Sequence, residues 1–128
     1  MGKEPIIIVG GEPNSVFLEI FFKSLKTNVY KSPLIIIASK KLLQDQMKNL
    51  DFDFEINDIN KELKDFSKLN NNKINLINVD YDFTKCFEKI TNKSNKYIDE
   101  TFKTALNFIK QNNLSKFING PVSKKSFL

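Results

Sequence analysis

The chain has 128 residues, 41% of them hydrophobic and 27% charged, with a formal net charge of +5. That length suits one domain or part of a larger protein, since domains commonly run to roughly 100–150 residues, and the balance excludes a disordered polar tail or a collagen-like repeat. All 20 basic residues are lysine and histidine is absent, which excludes a His-based triad or zinc site and leaves nucleic-acid binding without its usual arginine fork.

No apolar run approaches the roughly 18 residues that a membrane span needs, so no membrane partner is expected. The first residues, MGKEPIIIVGG, also lack a signal-peptide core. Cys86 is the single cysteine and can form no internal disulfide, so a reducing cytoplasm is the expected compartment.

Along the chain, Ile6, Ile7, Ile8 and Val9 followed by Gly10-Gly11 predict a strand buried on both faces, as in parallel sheets. Asn14 or Ser15 can cap a helix carrying Val16, Phe17, Ile20, Phe21 and Leu25 at spacings of three and four. A second buried strand is predicted over residues 34–38. Ser39 would cap a helix with Leu42, Leu43, Gln46, Met47 and Leu50. Strand, helix, strand, helix with short connections is the pattern of right-handed parallel crossovers.

Residues 51–56 alternate loosely through Phe52, Phe54 and Ile56, which fits an exposed third strand. Residues 57–69 read as a weak amphipathic helix or an irregular stretch, and Asn70-Asn71-Asn72 as a loop. A strand is expected over residues 74–79, and loop with a helical turn over 80–93. From Ser94, the residues Ile98, Phe102, Ala105, Phe108 and Ile109 share one side of a long helix. Asn113 suits its left-handed end. A short strand at 116–119 leads into Gly120-Pro121, and residues 122–128 resemble the first turns of a further helix.

Two junctions stand out chemically. Gly10-Gly11-Glu12-Pro13 follows a strand end, where α/β proteins bind ligands. A tight turn needing positive φ at one glycine is the simpler explanation of the pair. Asn119-Gly120-Pro121-Val122-Ser123-Lys124-Lys125 sets a lysine beside a helix start, an arrangement suited to an anion and equally to a solvated surface turn. No Walker loop and no G-x-G-x-x-G fingerprint is present. The carboxylates of Asp51 and Asp53, and of Asp82 near Tyr81, read as solvated loop charges rather than cation ligands. Cys86 reads as a small buried hydrophobe.

The two junctions together resemble one family. Ile6-Ile7-Ile8-Val9-Gly10-Gly11-Glu12-Pro13, with Glu19 beyond, is similar to the opening strand and G-[DE]-P-x-G-[IV]-G-P-E loop of 4-hydroxythreonine-4-phosphate dehydrogenases of vitamin B6 synthesis. Ile118-Asn119-Gly120-Pro121-Val122-Ser123-Lys124 resembles that family's T-[AG]-P-[IV]-x-K segment. Lys93-Ser94 resembles its G-K-x-S helix start, with Asn92 in the glycine's place. Ser15 and Phe17 replace family glycines, Leu18 replaces a proline, and Asn119 replaces a threonine.

The resemblance implies a mostly parallel α/β sheet with helices on both faces, part of an isocitrate/isopropylmalate dehydrogenase-like architecture. It implies that residues 1–128 are a single α/β unit forming the N-terminal part of a longer two-domain enzyme. That enzyme would oxidise 4-phosphooxy-L-threonine with NAD or NADP and a divalent metal, with decarboxylation, as a homodimer. Lys124, Gly120, Pro121, Gly11 and Glu12 would line the substrate side. The family's G-H-T-E segment, metal-binding histidines and nicotinamide-binding residues lie beyond Leu128. This chain by itself is therefore expected to hold neither metal nor cofactor, to supply no catalytic residue and to show no activity. The alternative is a shortened, non-catalytic relative serving as a binding or assembly module, which the substituted first loop favours.

Overall fold

The apolar runs Ile6–Val9 (β1) and Leu34–Ala38 (β2) lie side by side and are buried almost throughout. Only a sheet covered on both faces can bury every position of such a strand. The computed structural model describes residues 4–11, 16–28, 30–81 and 92–120. Helix Phe17–Thr27 (α1) follows β1, and Lys40–Leu50 (α2) follows β2. Then come Ile56–Asp58 (β3), Ile74–Asn78 (β4), the helix Asn92–Asn112 (α3) and Phe117–Asn119 (β5).

The five strands form one sheet in the order β3-β4-β2-β1-β5, and every pairing is parallel. Side-chain alternation divides the core. Ile8, Ile36, Ala38, Ile74 and Leu76 face α1 and α2, meeting Leu18, Phe21, Phe22, Leu42, Leu43 and Met47. Ile7, Val9, Ile35, Ile37 and Ile77 face the other way, toward Ile98, Ala105 and Phe108 of α3. The crossovers fall on the faces that right-handedness requires. Successive steps from β1 to β3 use one face, and the return through β4 to β5 uses the other.

Local signals explain the element ends. Ser39 is extended and its hydroxyl accepts the Leu42 amide at 3.2 Å, capping α2 as expected. Asp51 closes α2 in the left-handed region (φ 62°), and Asn113 (φ 52°) follows α3 in the same conformation. Val16 stands at the N-cap of α1 without a side-chain cap bond. Asn14 and Ser15, the expected caps, lie outside the described residues, as do Cys86, Asp82 and residues 122–128.

One expectation changes, and beyond β3 the irregular stretch, rather than the helix, is the alternative that forms. The alternation of residues 51–56 is not a strand: β3 is the three residues Ile56–Asp58. Phe52 and Phe54 instead turn toward α1, with ring centroids 5.4 and 6.3 Å from Phe22. Residues 59–73 contain no helix. Three short acceptors fold the backbone locally: Asn60 takes the Glu62 amide, Asp65 the Ser67 amide and Asn70 the Asn72 amide, at 2.8–3.0 Å. Such bonds compete directly with helix formation. The Ser67 amide, with the Ser67 hydroxyl, holds the Asp65 carboxyl below the usual carboxylate range.

Candidate functional site

All five strands run parallel, so their carboxyl ends gather at one edge of the sheet, the edge at which open α/β proteins bind ligands. Gly10 and Gly11 end β1 there, and Gly120 ends the adjacent β5. The Gly120 amide donates to the Val9 carbonyl at 2.7 Å, and the Gly10 amide donates to Ile37 at 3.3 Å. Both expected glycine corners therefore meet at one place.

Each glycine has a distinct reason to be there. Gly11 is buried with φ 71°, which a side chain would strain. A Cβ on Gly120 would stand 2.5 Å from the Gly10 carbonyl oxygen and 3.0 Å from Cδ2 of Phe17. A Cβ on Gly10 would meet Ala38 at an ordinary 3.5 Å, so packing alone does not demand glycine there. Glu12, Pro121 and Lys124 lie outside the described residues.

Sequence reasoning missed a second set of polar groups on this edge, at the ends of β2 and β4. There the chain leaves one strand toward α2 and the other toward α3, on opposite faces. The Asn78 side chain accepts the Lys40 amide at 2.8 Å and donates to Asp80 at 3.0 Å. The Lys40 ammonium pairs with Asp58 at 2.8 Å. These partners are 18 and 38 residues apart in sequence, so local pattern carries no sign of them. The pairs are solvent-exposed, worth about 0–1 kcal/mol, and serve to tie the strand ends together.

Behind this edge Tyr97 is buried, its hydroxyl accepting the Ser39 amide at 2.8 Å. Burial pushes the hydroxyl well above the ordinary tyrosine range, while the Ser39 hydrogen bond pulls it down and Tyr81 pushes it up. The folded state favours the neutral form. The stability this brings is complete below the unfolded value of about 10 and is lost as pH rises above it. Tyr97→Phe leaves the Ser39 amide unpaired at the start of α2. It is expected to cost about 1–3 kcal/mol, read as a lower denaturation midpoint at unchanged m-value.

A second opening, of about 550 Å³, lies at the amino ends of the strands and is lined partly by Lys26, Lys31, Asn70, Asn71 and Asn72. Its Asn71 is committed to the fold, accepting the Leu34 amide and donating to the Ser32 carbonyl, both at 2.9 Å. Among the described residues no three His, Cys, Asp or Glu side chains could hold a metal ion, and no helix is long and apolar enough to cross a membrane. Asp51 has a structural role instead, ending α2.

Residues 30–128 match the family described as pyridoxal phosphate biosynthetic protein PdxA. No curated protein matches the chain. The fold is similar to the crystal structure of a 4-hydroxythreonine-4-phosphate dehydrogenase from Burkholderia phymatum, with 19% identity and a TM-score of 0.79 over 96% of this chain and 38% of that one. The enzyme of the same description from Klebsiella pneumoniae gives 15% identity and a TM-score of 0.79, again over 96% and 38%. At these identities the likeness establishes the fold. The chain spans well under half the length of these solved relatives.

Proposed function

Because the chain belongs to the pyridoxal phosphate biosynthetic protein PdxA family, we propose that it is the N-terminal part of an NAD(P)-dependent 4-hydroxythreonine-4-phosphate dehydrogenase. The substrate is 4-phosphooxy-L-threonine, oxidised at its hydroxyl and then decarboxylated. The observation that carries this reading is the convergence of the Gly10-Gly11 and Gly120 corners at the carboxyl ends of adjacent parallel strands. The whole enzyme would be a cytoplasmic homodimer that uses a divalent metal with NAD or NADP.

The described residues do not fit a metal, since no group of three His, Cys, Asp or Glu side chains is present among them. What this chain contributes is binding. In this reading the corner at Gly11 and Gly120 marks the substrate side, and the Lys124 charge offsets that of the phosphate. Glu12 and Pro121 are assigned to the same substrate side by the family resemblance.

Steady-state kinetics of the full-length protein, following reduced nicotinamide, test this. Lys124→Ala is expected to raise KM for 4-phosphooxy-L-threonine by roughly 10–100-fold, the worth of a charge-assisted hydrogen bond. An unchanged KM, with turnover intact, removes Lys124 from the site. The second reading, a non-catalytic binding module, has its own support: Phe17 replaces a glycine of the resembled loop and packs against Gly120. Ligand binding without any turnover by the full-length protein would favour that module.

A further inference from the structure

We propose that Asn119-Gly120 is a site of spontaneous covalent modification: Asn119 cyclises and deamidates once the end of β5 lets go of β1, and the paired strand protects it until then.

The chemistry is set by the sequence. Asn119 is the only asparagine of the chain that glycine follows. In that pair the main-chain nitrogen of Gly120 can attack Cγ of Asn119. The new C–N bond closes a five-membered succinimide, the Cγ–Nδ2 bond breaks, and the side-chain nitrogen leaves as ammonia. Water then opens the ring at either carbonyl, giving aspartate or isoaspartate. No electrons are gained or lost. Glycine favours the closure because no side chain shields its nitrogen and its backbone turns freely into the ring geometry.

The fold brings the two reacting groups together and withholds the reaction. Asn119 is exposed to water on β5, an edge strand of the sheet. Its Nδ2 donates to the Gly120 carbonyl at 3.3 Å, which sets the carboxamide beside the residue whose nitrogen would attack it. That nitrogen is occupied: Gly120 is buried and its amide donates to the Val9 carbonyl at 2.7 Å. To attack, it must lose its proton and turn toward Cγ, and both steps require the bond to Val9 to open. A strand of three residues at a sheet edge opens more readily than the sheet interior. Its anchor is Phe117, with a ring centroid 6.2 Å from that of Phe102 on α3.

The product does not return. Isoaspartate adds a methylene to the main chain between Ile118 and Gly120, which displaces the Gly120 amide from Val9. Either product also sets a carboxylate on the strand. A transient opening of β5 thereby becomes a permanent one.

The test incubates the full-length protein in mildly alkaline buffer, folded and in urea, and follows Asn119 by peptide mass spectrometry with isoaspartate detection. In urea, Asn119 should convert faster than every other asparagine of residues 1–128. In the folded protein it should convert at least about tenfold more slowly, the worth of a backbone hydrogen bond that must open first. Phe117→Ala loosens β5 and leaves the Asn-Gly pair untouched. It should raise the folded-state rate in proportion to hydrogen exchange at the Gly120 amide. If that variant does not fold, the parent in urea below its unfolding transition makes the same comparison. Asn119→Gln should stay unconverted at this position, folded or not. Equal rates in the folded and unfolded chain, or a folded-state rate that does not follow Gly120 exchange, overturn the protection. An Asn119 that stays intact in urea overturns the site itself.

Discussion

Replacing Gly120 with alanine is expected to lower stability by roughly 1–3 kcal/mol, the range for overpacking, and to weaken ligand binding at the glycine corner. The added Cβ would lie 2.5 Å from the Gly10 carbonyl oxygen and 2.9 Å from its carbon, backbone atoms that cannot rotate away. Relief requires the end of β5 to move off β1, and that movement breaks the 2.7 Å bond from the Gly120 amide to the Val9 carbonyl. On the proposed reading, fold and site therefore fail together at this position. Denaturant titration reads the first effect, as a lower midpoint with m unchanged. A variant as stable as the parent would show that the two strand ends are not in this contact.

Phe22→Ala should cost still more, about 3–5 kcal/mol, out of the roughly 5–15 kcal/mol that holds a typical domain together. Phe22 is fully buried on α1, with ring centroids 6.0 Å from Phe21 and 5.4 Å from Phe52. Its ring joins α1 to the segment leaving α2, so its loss opens a cavity between the two. Ile20→Ala, on the exposed side of the same helix, is the comparison and should change stability by less than about 0.5 kcal/mol. Equal losses at the two positions would mean that α1 does not present this face to the sheet.

Much of the fold was legible because its signals are local. β1 and β2 are unbroken apolar runs, which only a doubly covered strand accommodates. Ser39 stands three residues before the amide it caps, and Asn113 sits where a long amphipathic pattern stops. Strand order was not legible: β4 inserts between β2 and β3, and a pairing between distant segments leaves no mark in either. Phe52 and Phe54 misled for a related reason, since alternation records burial and their burial comes from Phe22 rather than from a neighbouring strand. At the candidate site, Gly10, Gly11 and Gly120 could be picked out because they stand directly after strand ends in the sequence, a position that a tight turn also explains. The Lys40, Asp58 and Asn78 pairs could not, because lysine and asparagine occur throughout this chain and only folding brings these three together.

The central claim is that the corner formed by Gly11 and Gly120 receives a phosphorylated amino acid. Amide chemical-shift mapping of the full-length protein, titrated with 4-phosphooxy-L-threonine, tests it most directly. The account predicts saturable shifts that are largest at the Gly11, Gly120 and Lys124 amides. Shifts confined to Lys31 and residues 70–72 at the opposite end of the sheet, with Gly11 and Gly120 unmoved, would contradict it.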